Sequence, residues 1–328
     1  MRTFPHLLSA SLSLSALLGI AACAAPEVPM SAPDVRKPDA GMEEVADSRN
    51  PHTDLSPLPL FVPGISAFDP EPQCPSELTL GAGEKLAAST GGGDLGLSVT
   101  PDELSAAWTT ESGGVVTIHY VDRSKATDPF GAARTVTGAF APGRVALKSD
   151  GLELAVVDAG GLGFSVLRRT ERSETLGDPE VGPFELLGNQ GRDDLGPAGE
   201  HYADPLFAAG DRYFIFARVS AAGAGTVQLG SRFFAADPFS PGTPLAEAAL
   251  APVGGKRRSV TGASVDVRTL FVWDETVSKS VVVRLSARGE IESTKVLGAA
   301  RDVQPTANCR VFWFTSGAPS DVRRFAAP

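Results

Sequence analysis

The sequence predicts an all-β fold: a β-propeller of about five four-stranded blades. Three observations carry that expectation. A turn followed by an apolar strand recurs five times, the recurrences lie 42 to 60 residues apart, and no convincing amphipathic helix interrupts them.

The chain opens with Arg2, then an apolar and serine stretch from Leu7 to Ile20, then the small residues Ala21 and Ala22 directly before Cys23. This run has signal-peptide length and is too short for a membrane span, which needs ~20 apolar residues. Residues 1–22 are therefore expected to be a signal peptide. Ile20-Ala21-Ala22-Cys23 resembles the lipobox of bacterial lipoproteins. The resemblance implies diacylglyceryl attachment at the Cys23 thiol, cleavage before Cys23 and acylation of the new amino group. Several acyl chains, each contributing roughly 0.8 kcal/mol per buried methylene, anchor stably where one would not. Ala24 stands where inner-membrane retention is associated with aspartate, which favours an outer-membrane address.

Residues 23–73 read as a disordered tether. Ten of the 26 prolines fall between Ala24 and Pro72, among acidic and small residues with no apolar periodicity. Such a segment cannot bury enough surface to offset its ordering entropy. Residues 74–328 remain for the folded part, enough for one sizeable core.

In that part the turns and first strands come in order. Thr100-Pro101-Asp102-Glu103-Leu104 leads to Trp108, and Lys148-Ser149-Asp150-Gly151-Leu152 to Val156. Ala209-Gly210-Asp211-Arg212 leads to Phe216, Val265-Asp266-Val267-Arg268 to Trp273, and Ala307-Asn308-Cys309-Arg310 to Phe314. Asp102, Asp150, Gly210, Asp266 and Asn308 are equivalent positions, and Asp, Gly and Asn suit tight turns. A second strand follows each of the first four turn-strand units: Thr117 to Arg123, Phe164 to Arg169, Thr226 to Arg232 and Ser280 to Leu285. Asp128-Pro129-Phe130 and Asp237-Pro238-Phe239 then make a turn into a last strand. Asp178-Pro179 with Phe184 is a looser copy, and Gly289-Glu290-Ile291 departs from the pattern. Five blades is the expected number, six if residues 186–203 or 246–262 conceal another.

The Asp-Gly turn-strand, the strand ending in Arg and the Asp-Pro-Phe turn together resemble the WD40-like repeats of bacterial Tol-type periplasmic propellers, over roughly residues 94–328. The resemblance implies fold and is almost silent on activity. Only the second repeat keeps Asp-Gly intact.

The fifth repeat stops without an outer strand, and Glu77-Leu78-Thr79-Leu80 forms a short strand with no blade of its own. It is expected to supply the missing strand and close the ring, since open sheet edges are a liability. With Cys23 lipidated, Cys74 and Cys309 remain in an export compartment where disulfides persist. Both fall at the same end of the last blade, so a disulfide is expected; the alternative is two unpaired thiols.

Removing residues 1–22 takes away Arg2 alone, so 28 basic and 39 acidic residues remain, net −11. So acidic a chain is a poor nucleic-acid binder. Lys256-Arg257-Arg258, the one tight basic run, follows Gly254-Gly255 and reads as a solvated loop. The chain contains no Gly-x-Ser-x-Gly, His-Glu-x-x-His, P-loop, Gly-x-Gly-x-x-Gly fingerprint or Cys-x-x-Cys, and no catalytic residue is assigned. His6 is in the signal, His52 in the tether, and His119, beside Tyr120, reads as structural. No cofactor is expected, with one qualification: Asp193, Asp194, Glu200, His201 and Asp204 lie within twelve residues and could hold calcium, although their spacing matches no calcium loop.

The expected function is a membrane-anchored scaffold presenting a face or channel mouth to a protein or glycan. Two alternatives stand beside it. One is a propeller-type glycan hydrolase, which needs two carboxylates roughly 5–10 Å apart; Asp94, Asp204 and Asp302, at inner-strand starts, are the candidates. The other is a purely structural envelope lipoprotein.

Overall fold

The computed structural model describes residues 74–327, apart from 76, 91, 178–179, 182–198, 233–238, 241, 246–249, 251–255, 287–289 and 307–308. Cys23, the signal and the tether lie outside the described residues, as do Asp193, Asp194, Asp178-Pro179, Phe184 and Asn308.

Among the described residues, twenty strands form five four-stranded antiparallel sheets. The first blade is β2 (Leu95–Val99), β3 (Ser105–Ser112), β4 (Val115–Asp122) and β5 (Arg134–Gly138). The second is β6 (Phe140–Leu147), β7 (Glu153–Asp158), β8 (Phe164–Arg168) and β9 (Glu180–Val181). The third is β10 (His201–Ala208), β11 (Tyr213–Val219), β12 (Gly225–Ser231) and β13 (Thr243–Pro244). The fourth is β14 (Arg258–Ala263), β15 (Thr269–Asp274), β16 (Lys279–Leu285) and β17 (Ile291–Gly298). The fifth takes β18 (Arg301–Pro305), β19 (Val311–Gly317) and β20 (Ser320–Ala326) from the C-terminal end, and β1 (Glu84–Lys85) as its outer strand.

Five buried clusters fill the five seams between neighbouring blades, including the seam between fifth and first, so the ring is closed. That last seam packs Trp108 and Leu97 of the first blade against Trp313 and Val322 of the fifth. Each sheet alone could bury only one face; neighbours supply the other.

The five turns are built alike. The residue after each equivalent position is left-handed: Glu103, Gly151, Asp211, Val267 and Cys309 have φ between 51° and 72°. Asp102, Asp150 and Asp266 each accept the backbone N–H two residues on, at 2.8–3.0 Å, which holds the turn. In three blades an arginine then clasps the left-handed residue. Arg123, Arg169 and Arg232 donate Nε–H to the carbonyls of Glu103, Gly151 and Asp211 at 2.6, 2.9 and 2.7 Å. Phe130 and Phe239 of the Asp-Pro-Phe turns lie under Arg123 and Arg232, 4.3 and 4.5 Å from guanidinium carbon to ring centre. In the second blade Leu176 occupies that place: Gly131, Gly177 and Ser240 each return one N–H to the preceding strand.

The closing strand differs from expectation. Glu77–Leu80 forms no strand; β1 at Glu84–Lys85 pairs with Arg324 and Arg323 of β20. Leu78 is buried instead between the fourth and fifth blades, beside Phe271 and Phe312. Cys74 is joined to Cys309 in the same cluster, with Cα atoms 5.0 Å apart, and Lys295 pairs with Glu77. Cys74, Leu78 and Leu80 are thereby held at that seam, and the chain reaches the edge of β20 only after turning at Gly83, which has φ +68°. At Gly81 a side chain would meet the Phe325 ring at 2.6 Å.

Candidate functional site

The inner strands β2, β6, β10, β14 and β18 surround the axis, and each is interrupted by a bulge against its neighbour. At the bulges the strands come very close. A Cβ on Gly96 would sit 2.3 Å from the Gly143 carbonyl oxygen, and one on Gly262 would sit 2.4 Å from that of Val303. Bulges of this kind re-aim side chains, and here they aim Arg144 across the axis.

Arg144 is buried among the inner strands. Its Nη1 donates to Asp302 at 3.0 Å; its Nη2 donates to the carbonyls of Leu97 at 2.9 Å and Thr261 at 2.7 Å. One side chain of the second blade thus ties the first, fourth and fifth together. Burial pulls its guanidinium below the ordinary arginine value, opposed by Asp302 and then by Asp204. Asp302 also accepts from the Gly96 amide and the Thr315 hydroxyl.

The other candidate carboxylates are engaged as well. Asp204, left-handed at φ 52°, accepts the Ser259 hydroxyl at 2.6 Å and lies 3.6 Å from Arg257. Asp94 accepts the hydroxyls of Ser89 and Thr90. The structure does not bring Asp94, Asp204 and Asp302 together as an unpaired acidic pair facing an open cleft.

The proposed calcium cluster is divided. Asp193 and Asp194 lie outside the described residues; Glu200 pairs with Arg218 at 3.1 Å, and Asp204 is turned to Ser259. Among the described residues, no group of three His, Cys, Asp or Glu side chains is placed to hold a metal ion. Arg257 and Arg258 of the basic run pair with Glu275 and Asp274 rather than standing free. His119 stacks on Trp108 and shares a 2.8 Å hydrogen bond with Thr110. Burial lowers its pKa, opposed by Asp94.

Two concavities among the described residues bear on function. One, of about 60 Å³, lies at the axial mouth where the inner strands end; Ser98, Gln304 and Asp211 line it. Asp211 accepts the amide and hydroxyl of Ser149 from the second blade, and burial raises its pKa. The other, of about 560 Å³, lies at the closing seam. It runs between β1 and the loop 126–130 of the first blade, with Trp313 and Arg324 of the fifth blade on one wall. Behind it Glu103 joins the blades, accepting from Arg123 at 3.3 Å, Arg324 at 2.9 Å and the Trp313 indole at 3.3 Å.

The sequence offered no signal for Arg144, which follows Ala141-Pro142-Gly143 inside β6. Glu103 and Arg324 were equally silent: their meeting depends on ring closure.

No family model matches the sequence, and no curated protein matches it. Solved structures similar to it include TolB from Acinetobacter baumannii, at 11% identity and TM-score 0.41, covering 71% of this chain and 54% of that one. The calcium-binding protein regucalcin from Agrobacterium tumefaciens matches at 15% identity and TM-score 0.42, covering 75% and 78%. A putative 6-phosphogluconolactonase from Bacteroides uniformis matches at 16% and 0.39, covering 71% and 67%. The chain thus spans about half the length of the TolB structure. None of these similarities assigns an activity.

Proposed function

We propose that the mature chain is an envelope lipoprotein, anchored through Cys23, whose propeller is a non-catalytic scaffold for a protein or glycan partner. The observation that carries this reading is the state of the axial carboxylates. Asp302 is committed to Arg144, Asp204 to Ser259, and Asp94 to Ser89 and Thr90. A glycan hydrolase requires one carboxylate to give and one to take a proton or glycosyl group, and these three are engaged by hydroxyls or an arginine instead. What remains is a rigid frame carrying loops, which suits binding. The lipobox resemblance supports the anchor, and a disulfide between Cys74 and Cys309 suits an exported compartment.

The test is cross-linking of the mature protein in intact cells, followed by identification of adducts, alongside assays for release of reducing ends from envelope glycans. A partner recovered in fixed proportion supports the scaffold. Glycan release that depends on Asp94, Asp204 or Asp302 overturns it in favour of hydrolysis. No adduct and no release leaves the spacer role and removes the binding one.

A further inference from the structure

We propose that the cleft at the closing seam binds the free carboxylate end of a short apolar peptide, with Arg324 as the partner of the carboxylate. The inference deepens the scaffold reading and rests on it.

At about 560 Å³ the cleft has the size of a small-ligand site. Two arginines stand at its wall, and they are not equivalent. Arg123 is almost fully buried and has every nitrogen engaged: Nε donates to the Glu103 carbonyl, Nη1 to the Asp128 carbonyl and Nη2 to the Glu103 carboxylate. Arg324 uses only Nε, which donates to Glu103 at 2.9 Å. Its Nη1 and Nη2 meet no acceptor among the described residues, and its side chain is 32% exposed. The Trp313 ring 6.0 Å away and the Glu103 carboxylate fix the guanidinium plane. A fixed guanidinium with two parallel N–H groups open is the geometry that takes a carboxylate bidentately.

The remaining surface selects a peptide over a simple fatty acid. Leu86, Ala87, Ala126 and Pro129 give apolar walls, while the Asp128 carboxylate, accepting no hydrogen bond among the described residues, can receive peptide N–H groups. Glu84 is the opposing element. It pairs across the strands with Arg324 and lines the cleft, yet forms no ion pair with it. Its charge competes with an arriving carboxylate, so it sets how weakly or tightly the acid is held.

The experiment is calorimetric titration of the full mature protein with acetyl-Ala-Leu-Phe, as the free acid and as the carboxamide. The acid is expected to bind at least tenfold tighter than the amide. Arg324→Gln should erase that preference, and Glu84→Gln should widen it severalfold. Because Arg324 also braces Glu103, a second variant guards against misfolding: Ala126→Trp, at an exposed position, fills the cleft and should abolish binding. Equal affinity for acid and amide, no saturable binding, or wild-type affinity in Ala126→Trp overturns the inference. If the peptides fail while a cross-linked envelope partner is still recovered, this inference falls and the scaffold reading stands.

Discussion

Arg144 on the second blade and Asp302 on the fifth meet across the axis of the ring at 3.0 Å, both almost fully buried. The pair is supported on each side, Arg144 by two carbonyls and Asp302 by an amide and a hydroxyl. Such support is what allows a buried pair to persist despite its desolvation cost. Arg144→Met should destabilise the fold by about 3–5 kcal/mol, because it leaves Asp302 buried and charged without its partner. Adding Asp302→Asn should restore part of that loss, since residues sharing a network are non-additive. Urea unfolding of both single variants and the double variant checks this; strictly additive losses would contradict the coupling.

Asp211 gives a pH dependence with a definite sign. Burial raises its pKa above the ordinary 3.8, against the opposing donors of Ser149. A carboxyl that holds its proton more tightly folded than unfolded contributes stability that is present below 3.8 and lost as pH rises through the folded value. Asp211→Asn keeps an acceptor for Ser149 and carries no charge. Its melting temperature should therefore gain on the wild type as pH is raised above 3.8.

The Cys74–Cys309 link closes a loop of 235 residues. In the chain-entropy account a loop of that length contributes about 5 kcal/mol. Reduction, or Cys74→Ser with Cys309→Ser, should lower the denaturation midpoint by a corresponding amount. Alkylation with and without prior reduction, read by mass, verifies the bond itself.

Asp122 and Asp102 make a contrasting pair of acids at the seam of the first and second blades. Asp122 accepts both Nη groups of Arg169 at 2.7 Å, and also Arg134 and Ser105, with its side chain 14% exposed. Asp102 pairs with Arg172 while 42% exposed. Asp122→Asn should cost about 2–4 kcal/mol. Asp102→Asn should alter the Arg172 pair by only about 0–1 kcal/mol, because solvent screens it. Equal effects would contradict the burial ordering.

Cys23→Ser should abolish incorporation of labelled fatty acid and move the protein from the detergent phase to the aqueous phase. Retention in the detergent phase would remove the anchor.

The ring was legible where chemistry repeats along the chain. The positions aligned at Asp102, Asp150, Gly210, Asp266 and Asn308 each precede a left-handed residue, though only one of the five is glycine. The strand-ending arginines and the Asp-Pro-Phe turns were visible as repeats, but not the stacking of Arg123 on Phe130 and Arg232 on Phe239, nor Leu176, which keeps the place without the motif. The closing strand was misplaced by a few residues for a physical reason. Leu78 and Leu80 alternate as a strand should, whereas Glu84–Lys85 is polar, two residues long and defined only by its partner β20. Closure itself, from the N-terminal side, was legible because the fifth repeat ends one strand short. The Arg144–Asp302 pair and the Glu103–Arg324 contact join residues 158 and 221 positions apart, and no local pattern encodes them.

Mechanical load offers a last consequence of the bond at Cys74. A pull arriving along the chain from residues before Cys74 meets that half-cystine first. It passes through a covalent link into the turn ahead of β19, in the interior of the fifth blade. The chain between Cys74 and β1 is then slack, and the two-residue strand that seals the ring bears none of the tension. Tension from the N-terminal side would enter the sheet beside an interior strand and leave its two-residue join unloaded.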